Sequence, residues 1–200
     1  ISVEDARARI LAFFHRLDVE RKPLIDALGQ VLAEDMVAPF DIPPLNNTAM
    51  DGYAVRAGDT TGASDGSPRS LKVIADLAAG YVLETAVGAG EAVRIMTGAP
   101  MPPGADAVVP FEETDEPLRG LNEAAKRSAN VQVLKAAAPG ANIRFRAEDV
   151  TAGSVVIPAG RVVRASEVGV LASIGLTHVP VYRRPVVAIL STGDEVTEPG

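Results

Sequence analysis

Residues 37–47, "VAPFDIPPLNN", decide how the chain must be read. Their prolines rule out a regular helix, because each removes a backbone donor and biases the residue before it toward extended angles. The stretch therefore reads as an extended connector, and the texture differs on its two sides. Before it the pattern is helical. Ser2 is placed to cap a helix with Asp5 in the reciprocal position, and Ile10, Leu11, Phe13, Phe14 and Leu17 recur at helical spacing. His15 falls on the polar side as a solvated residue. A second helical piece is expected from Pro23, with Leu24, Ile25, Leu28, Val31 and Leu32 as its apolar positions and Gly29 as an interruption. After the connector, short β-type runs alternate with turn signals: "YAVRA", "SLKVIADL", "EAVRIM", "DAVVPFEE", "VQVLK" and "NIRFR". That spacing predicts an all-β unit between residues 50 and 150. "DEPLRGLNEAAKRSA" (115–129) fits either a short helix or a long hairpin tip. Further β runs follow in "SVVIPAG" and "RVVRA", then a short helix in "EVGVLASIGL". "PVVAIL" (185–190) reads as a buried parallel strand ending in a polar turn, the start of an α/β unit cut off after its first strand.

Composition narrows the function. The 200 residues are 47% hydrophobic and 22% charged, values typical of a soluble protein with a core, and the 15 prolines and 18 glycines favour short strands and fixed turns over a bundle. Net charge is −7 and aromatics are 4%, which argues against a nucleic-acid partner. Absence of cysteine excludes disulfides, thiolate metal sites and cysteine nucleophiles, and two histidines cannot build an imidazole-rich site. No apolar run reaches the ~20 residues of a membrane span. A cytoplasmic location is expected.

Four segments carry candidate chemistry. Asp51, in "PPLNNTAMDGYAVR" (43–56), precedes Gly52 and strand-like residues, so local pattern favours a hairpin turn; against it, the stiff approach and the adjacent glycine are how a carboxylate is presented to a ligand. In "RIMTGAPMPPGADAVV" (94–109), the Thr97 hydroxyl and Gly98 amide form a donor pair suited to an anion, or a rigid connection. Strand alternation in "NIRFRAED" (142–149) puts Arg144 and Arg146 on one face, where they can grip a phosphate; otherwise Arg146 and Glu148 neutralise each other. Glu148 and Asp149 are expected to face opposite ways. In "STGDE" (191–195), Ser191, Thr192 and Gly193 offer donors at a strand's carboxyl end, with Asp194 and Glu195 adding carboxylates that suit a Mg²⁺-bridged oxyanion or simply a helix start. Phosphate-binding glycine loops and zinc helices are absent from the sequence.

Taken in order, "PLIDALGQVLAEDMVAPFDIPP", "PPLNNTAMDGYAVRAGD", "GEAVRIMTGAPMPPGADAVVPFEET", "PGANIRFRAEDV" and "RRPVVAILSTGDEV" closely resemble the N-terminal half of the molybdopterin molybdenumtransferases, the MoeA/gephyrin E-domain family. The resemblance spans essentially the whole chain. It implies a mostly β, α+β architecture: elongated domain I (1–41 with 150–183), an inserted β domain II (42–149), and the first strand of a truncated α/β molybdopterin-binding domain III (184–200). It implies an enzyme of molybdenum cofactor biosynthesis, inserting molybdenum from molybdate into adenylated molybdopterin with Mg²⁺ assisting and AMP released. A homodimer is implied, as are dealings with the molybdopterin adenylyltransferase and with molybdoenzymes. A non-catalytic scaffolding module of the gephyrin type is the alternative. The matching site positions are Asp51, Asp149 and Glu195 for Mg²⁺ and catalysis, with Thr97, Arg144, Ser191, Thr192 and Gly193 for substrate. The chain departs from the family pattern at Thr48 (usually Ser), which keeps the hydroxyl, and Ala147 (usually Gly); alanine at positive φ is strained, so if the family glycine is there for a positive φ, the local turn must differ. With most of the pterin and nucleotide pocket missing, the 200-residue chain is expected to be inactive alone.

Overall fold

The computed structural model describes residues 1–119, 128–193, 195 and 197. Most of 115–129 beyond the 3₁₀ turn Glu116–Arg119 lies outside the described residues, as does Asp194. The architecture is mostly β with two helices among the described residues, and the chain divides into two compact units: Ile1–Pro39 with Gly153–Gly200, and Phe40–Ala152.

In the first unit, helix α1 (Val3–Leu11) starts where expected, with Ser2 Oγ accepting from Asp5 N at 3.1 Å. It ends sooner than the apolar spacing suggests. Phe13 and Phe14 lie beyond it and are 84% and 70% exposed, and no residue of α1 is buried. The second expected helix does not form. Residues 19–23 make strand β1 (Val19–Pro23), antiparallel to β11 (His178–Tyr182), and 24–29 are turns. Long-range backbone bonds take the groups a helix would use: Leu24 N to Thr177 O, Gly29 N to Val163 O and Leu32 N to Arg161 O, while Gly29 sits at φ +82°. Strand β2 (Met36–Val37) pairs with β10 (Val155–Ile157), and "RVVRA" contributes only a bridge, Val162 to Val31. Helix α2 (Ala165–Ser173) is the helix read from "EVGVLASIGL"; Glu167 caps it by accepting from Arg164 N, and Gly175 at φ +80° ends it. Leu24, Leu32, Val163, Leu171, Ile174, Val179 and Val181 are buried in this unit. "PVVAIL" is neither paired nor buried, with Val186 99% and Ile189 89% exposed. An all-apolar strand is stable only with neighbours on its edges and cover on its faces, and none of the described residues supplies them.

The second unit is built on a five-stranded sheet in the order β7 (Ala107–Pro110), β4 (Gly52–Val55), β6 (Glu91–Ile95), β5 (Arg69–Leu77) and β8 (Asn130–Val133). All its pairs are antiparallel except β5–β6. Side chains alternate across the sheet, and both faces are covered. Tyr53, Val55, Ala92, Val109, Val131 and Val133 form one core, while Ala54, Val93, Ile95 and Val108 join Leu77, Val87 and Ala99 in the other. Gly52 is required by the sheet itself, since a Cβ there would lie 2.1 Å from Val109 O. A small pair, β3 (Asn47–Thr48) with β9 (Ile143–Arg144), completes the unit and carries the candidate site.

Candidate functional site

The site in the second unit is assembled around β3. Asp51 is not the corner of a hairpin: β3 pairs with β9, β4 pairs with β6 and β7, and residues 49–51 form a bend between two different pairings. Across this bend Thr97, just past the end of β6, reaches Asp51. Its N–H and its hydroxyl both donate to Asp51 Oδ1, at 2.7 and 2.6 Å. Both bonds favour the ionised form, the hydroxyl most, and with the Arg94 charge they hold the Asp51 carboxyl below its ordinary value despite partial desolvation. Asp51 is exposed, and its second oxygen makes no bond among the described residues. The result is a carboxylate fixed at one oxygen and open at the other.

The donor pair expected at Thr97–Gly98 is spent inside the protein. Gly98 N donates to Thr48 O at 2.9 Å and Ala99 O accepts from Thr48 N, so this loop straps β3 in place, and the anion that its Thr97 donors hold is the Asp51 carboxylate. Thr48 also closes the bend, its Oγ1 accepting from Met50 N and donating to Met50 O. Along the other edge of β3, Arg144 faces Asn47 in register. Its guanidinium donates to Asp149 and lies 3.5 Å from Glu148 Oε1, which raises its pKa through the Asp149 bond above all. Glu148 Oε2 accepts from Phe145 N. Strand alternation fails here because β9 stops at Arg144 and the chain turns, so both acids come back to one arginine. Arg146 pairs with Asp41, not Glu148, and its N–H donates to Asn46 Oδ1. Ala147 takes φ +62°, so the alanine itself adopts the left-handed conformation that favours glycine.

Beside β3 lies a hollow of about 250 Å³ lined by Pro44, Leu45, Asn47, Tyr81, Gly98 and Pro100. Asn47 Oδ1 is buried there without a partner among the described residues. Sequence reasoning singled out Asp51, Thr97, Arg144 and Asp149, and the structure gathers them within this unit. Asn46 and Asp41, which hold Arg146 in the turn that follows Arg144, are not among the predicted residues; the polar run "NNT" after two prolines is the sequence signal for Asn46. Ser191, Thr192, Gly193 and Glu195 belong to the other unit, where they are exposed; Gly193 has φ +133°. Among the described residues no three acidic or imidazole side chains cluster as a metal site, and no helix is long and apolar enough to cross a membrane.

Comparison with known proteins fits this layout. A family model described as MoeA N-terminal region (domain I and II) matches residues 1–175. Molybdopterin molybdenumtransferase 2 of Mycobacterium tuberculosis is 44% identical over 178 residues, covering 89% of this chain and 42% of that protein. The molybdopterin molybdenumtransferase of Staphylococcus epidermidis is 37% identical over 198 residues, covering 99% and 45%. The crystal structure of the molybdopterin biosynthesis moeA protein from Pyrococcus horikoshii OT3 superposes with a TM-score of 0.79 at 39% identity, covering 91% of this chain and 46% of that one. The chain thus spans less than half the length of these relatives. With 1–175 matched and the same fold at this identity, it belongs to the MoeA N-terminal region (domain I and II) family.

Proposed function

We propose that the chain supplies the N-terminal portion of a molybdopterin molybdenumtransferase, an enzyme of molybdenum cofactor biosynthesis that inserts molybdenum from molybdate into adenylated molybdopterin and releases AMP. The observation that carries the reading is the Asp51 carboxylate, held ionised by two Thr97 donors with its second oxygen open. Mg²⁺ takes oxygen ligands and binds through one or two carboxylates plus substrate phosphates, so a single fixed, hard oxygen on this chain suits it. When bound, the ion would screen charge on phosphate oxygens. Asp51 orients and holds such a charge, and the Thr97 bonds keep its carboxylate from rotating. Arg144, already neutralised by Asp149 and Glu148, contacts an anionic group by exchanging one of these partners. Glu195, Ser191, Thr192 and Gly193 act from the start of a molybdopterin-binding domain at 184–200, with domain I at 1–41 and 150–183 and domain II at 42–149. The enzyme works as a cytoplasmic homodimer, receives its nucleotide substrate from a molybdopterin adenylyltransferase and passes product toward molybdoenzymes.

Asp51→Asn in the full-length enzyme tests this directly. AMP release from adenylated molybdopterin is expected to fall about 100-fold, the scale of losing one charge-stabilising group. Wild-type turnover in that variant would remove Asp51 from the site. The 200-residue chain by itself is expected to insert no molybdenum.

A further inference from the structure

A separate groove of about 440 Å³ opens on the unit formed by Ile1–Pro39 and Gly153–Gly200, lined by Arg16, Leu17, Val31, Ala33, Tyr182 and Arg183 among others. The fold puts these side chains there for simple reasons. Strand β11 buries Val179 and Val181, so Tyr182 turns to the opposite side at the end of the strand. Arg183 N donates to Asp18 O at 3.0 Å and fixes the backbone where the strand stops. Arg16 approaches from the segment between α1 and β1, its guanidinium 5.8 Å over the Tyr182 ring and one nitrogen 3.4 Å from the phenol oxygen. That bond uses the oxygen as acceptor and leaves the phenolic hydrogen free to donate.

The charges are not balanced locally. Arg184 is spent on Leu28 O, but neither Arg16 nor Arg183 has a carboxylate within 4.0 Å among the described residues. Asp18, whose backbone carbonyl accepts from Arg183 N, makes no carboxylate pair with either arginine among the described residues, and two other acids of this unit are engaged elsewhere. Glu20, close enough to Arg183 to feel its charge, is bonded by Lys22 at 3.3 Å and Gln30 at 3.0 Å; Asp35 accepts from Ala159 N at 2.7 Å. Two arginines without an ion-paired carboxylate among the described residues thus line one groove, in a chain of net charge −7. Guanidinium forks match pairs of phosphate oxygens, and a phenol adds a third donor. Leu17, Val31 and Ala33 give the groove an apolar part of its lining that suits an organic body, and its size falls among small-molecule sites.

We propose that this groove binds a small organic phosphate, its phosphate held by Arg16, Arg183 and the Tyr182 hydroxyl and its body laid on Leu17, Val31 and Ala33. The site is independent of Asp51 and of the activity proposed above. Titration calorimetry of the 200-residue chain at constant ionic strength tests it with phenyl phosphate, inorganic phosphate and benzoate as probes. Phenyl phosphate is expected to bind one to one, at least about tenfold tighter than either other probe. Arg16→Ala and Arg183→Ala should each weaken it by about tenfold or more, as loss of a charge-assisted bond predicts. Arg183→Lys, which keeps the charge but not the fork, covers the case in which the alanine variant fails to fold, and should weaken binding severalfold. Arg161→Ala, whose guanidinium faces Glu167 at 3.6 Å, should change nothing. Absence of saturable binding overturns the proposal, as does unchanged affinity in the Arg16 and Arg183 variants. Inorganic phosphate or benzoate binding as tightly as phenyl phosphate overturns the assignment to an organic phosphate.

Discussion

Ala147 and Asp51 show how single residues set the site. Ala147 holds a left-handed backbone at φ +62°, in a turn whose amide donates to Pro43 O and whose neighbours carry Arg144, Glu148 and Asp149. A Cβ in that conformation costs about 1–2 kcal/mol, and glycine gives back part of the difference through a freer unfolded chain. Ala147→Gly is therefore expected to stabilise the chain by about 0.5–1 kcal/mol, read as a higher urea midpoint at unchanged slope; an unchanged or lower midpoint contradicts the strain. At Asp51 the carboxyl is held low chiefly by the Thr97 hydroxyl. A depressed pKa means that this tie is fully present above the ordinary value of 3.8 and is lost as pH falls through the lowered one. Thr97→Val keeps the amide and removes the hydroxyl, so the Asp51 pKa should rise toward 3.8, while Thr97→Ser should leave it low. Carboxyl NMR titration distinguishes the two, and an unmoved Asp51 pKa in Thr97→Val rejects the assigned cause.

Strands β4 and β6 connect that residue to the core. Tyr53 on β4 lies opposite Arg94 on β6, and both reach Glu116: the phenol donates to Oε2 at 2.6 Å, and the guanidinium makes contacts of 2.6 and 3.2 Å. Arg94 also lies 4.5 Å from the Phe111 ring, and its charge contributes to the low Asp51 pKa. Glu116 is 4% exposed, so removing its carboxylate leaves a largely buried arginine with only the half-exposed Asp76 carboxylate, 4.0 Å away, as an acidic partner. Glu116→Ala should cost about 3–5 kcal/mol, and Tyr53→Phe about 1–2 kcal/mol, both measured by chemical denaturation. Losses of a few tenths for Glu116→Ala would mean that solvent already screens the pair. Neither partner announces this network in the sequence, because Glu116 and Arg94 are distant along the chain. The strands themselves were legible, since "YAVRA", "EAVRIM" and "DAVVPFEE" combine β-type residues with turn signals on both sides. Residues 23–32 misled because their apolar spacing is helical while backbone partners at 161, 163 and 177 are out of sequence range. Arg144 misled for a related reason: alternation holds only as long as the strand does, and β9 has two residues.

At the scale of the molecule, the second unit is closed at its own base. Where the chain enters and leaves it, Ile42 N donates to Val150 O, Ile42 O accepts from Asp149 N and Val150 N, and Asp41 binds Ala152 N and the Arg146 guanidinium. Two apolar clusters on the two faces of one sheet give it a core of its own, well above the ~60 residues at which single domains become marginal. Residues 40–152 expressed alone are therefore expected to fold and to unfold cooperatively, with slow amide exchange in β4, β6 and β7; a broad, non-cooperative melt would show that the unit borrows its stability. The clasp has its own signature. Asp41 is held below 3.8, by the Ala152 amide first and Arg146 second, so its contribution is complete above that value and disappears as pH falls through the depressed one. Asp41→Asn should consequently lower the melting temperature of the isolated unit at neutral pH, and the gap from the parent should narrow as acid protonates Asp41. A gap that stays constant down to low pH would place the loss in the asparagine's geometry and not in the charge.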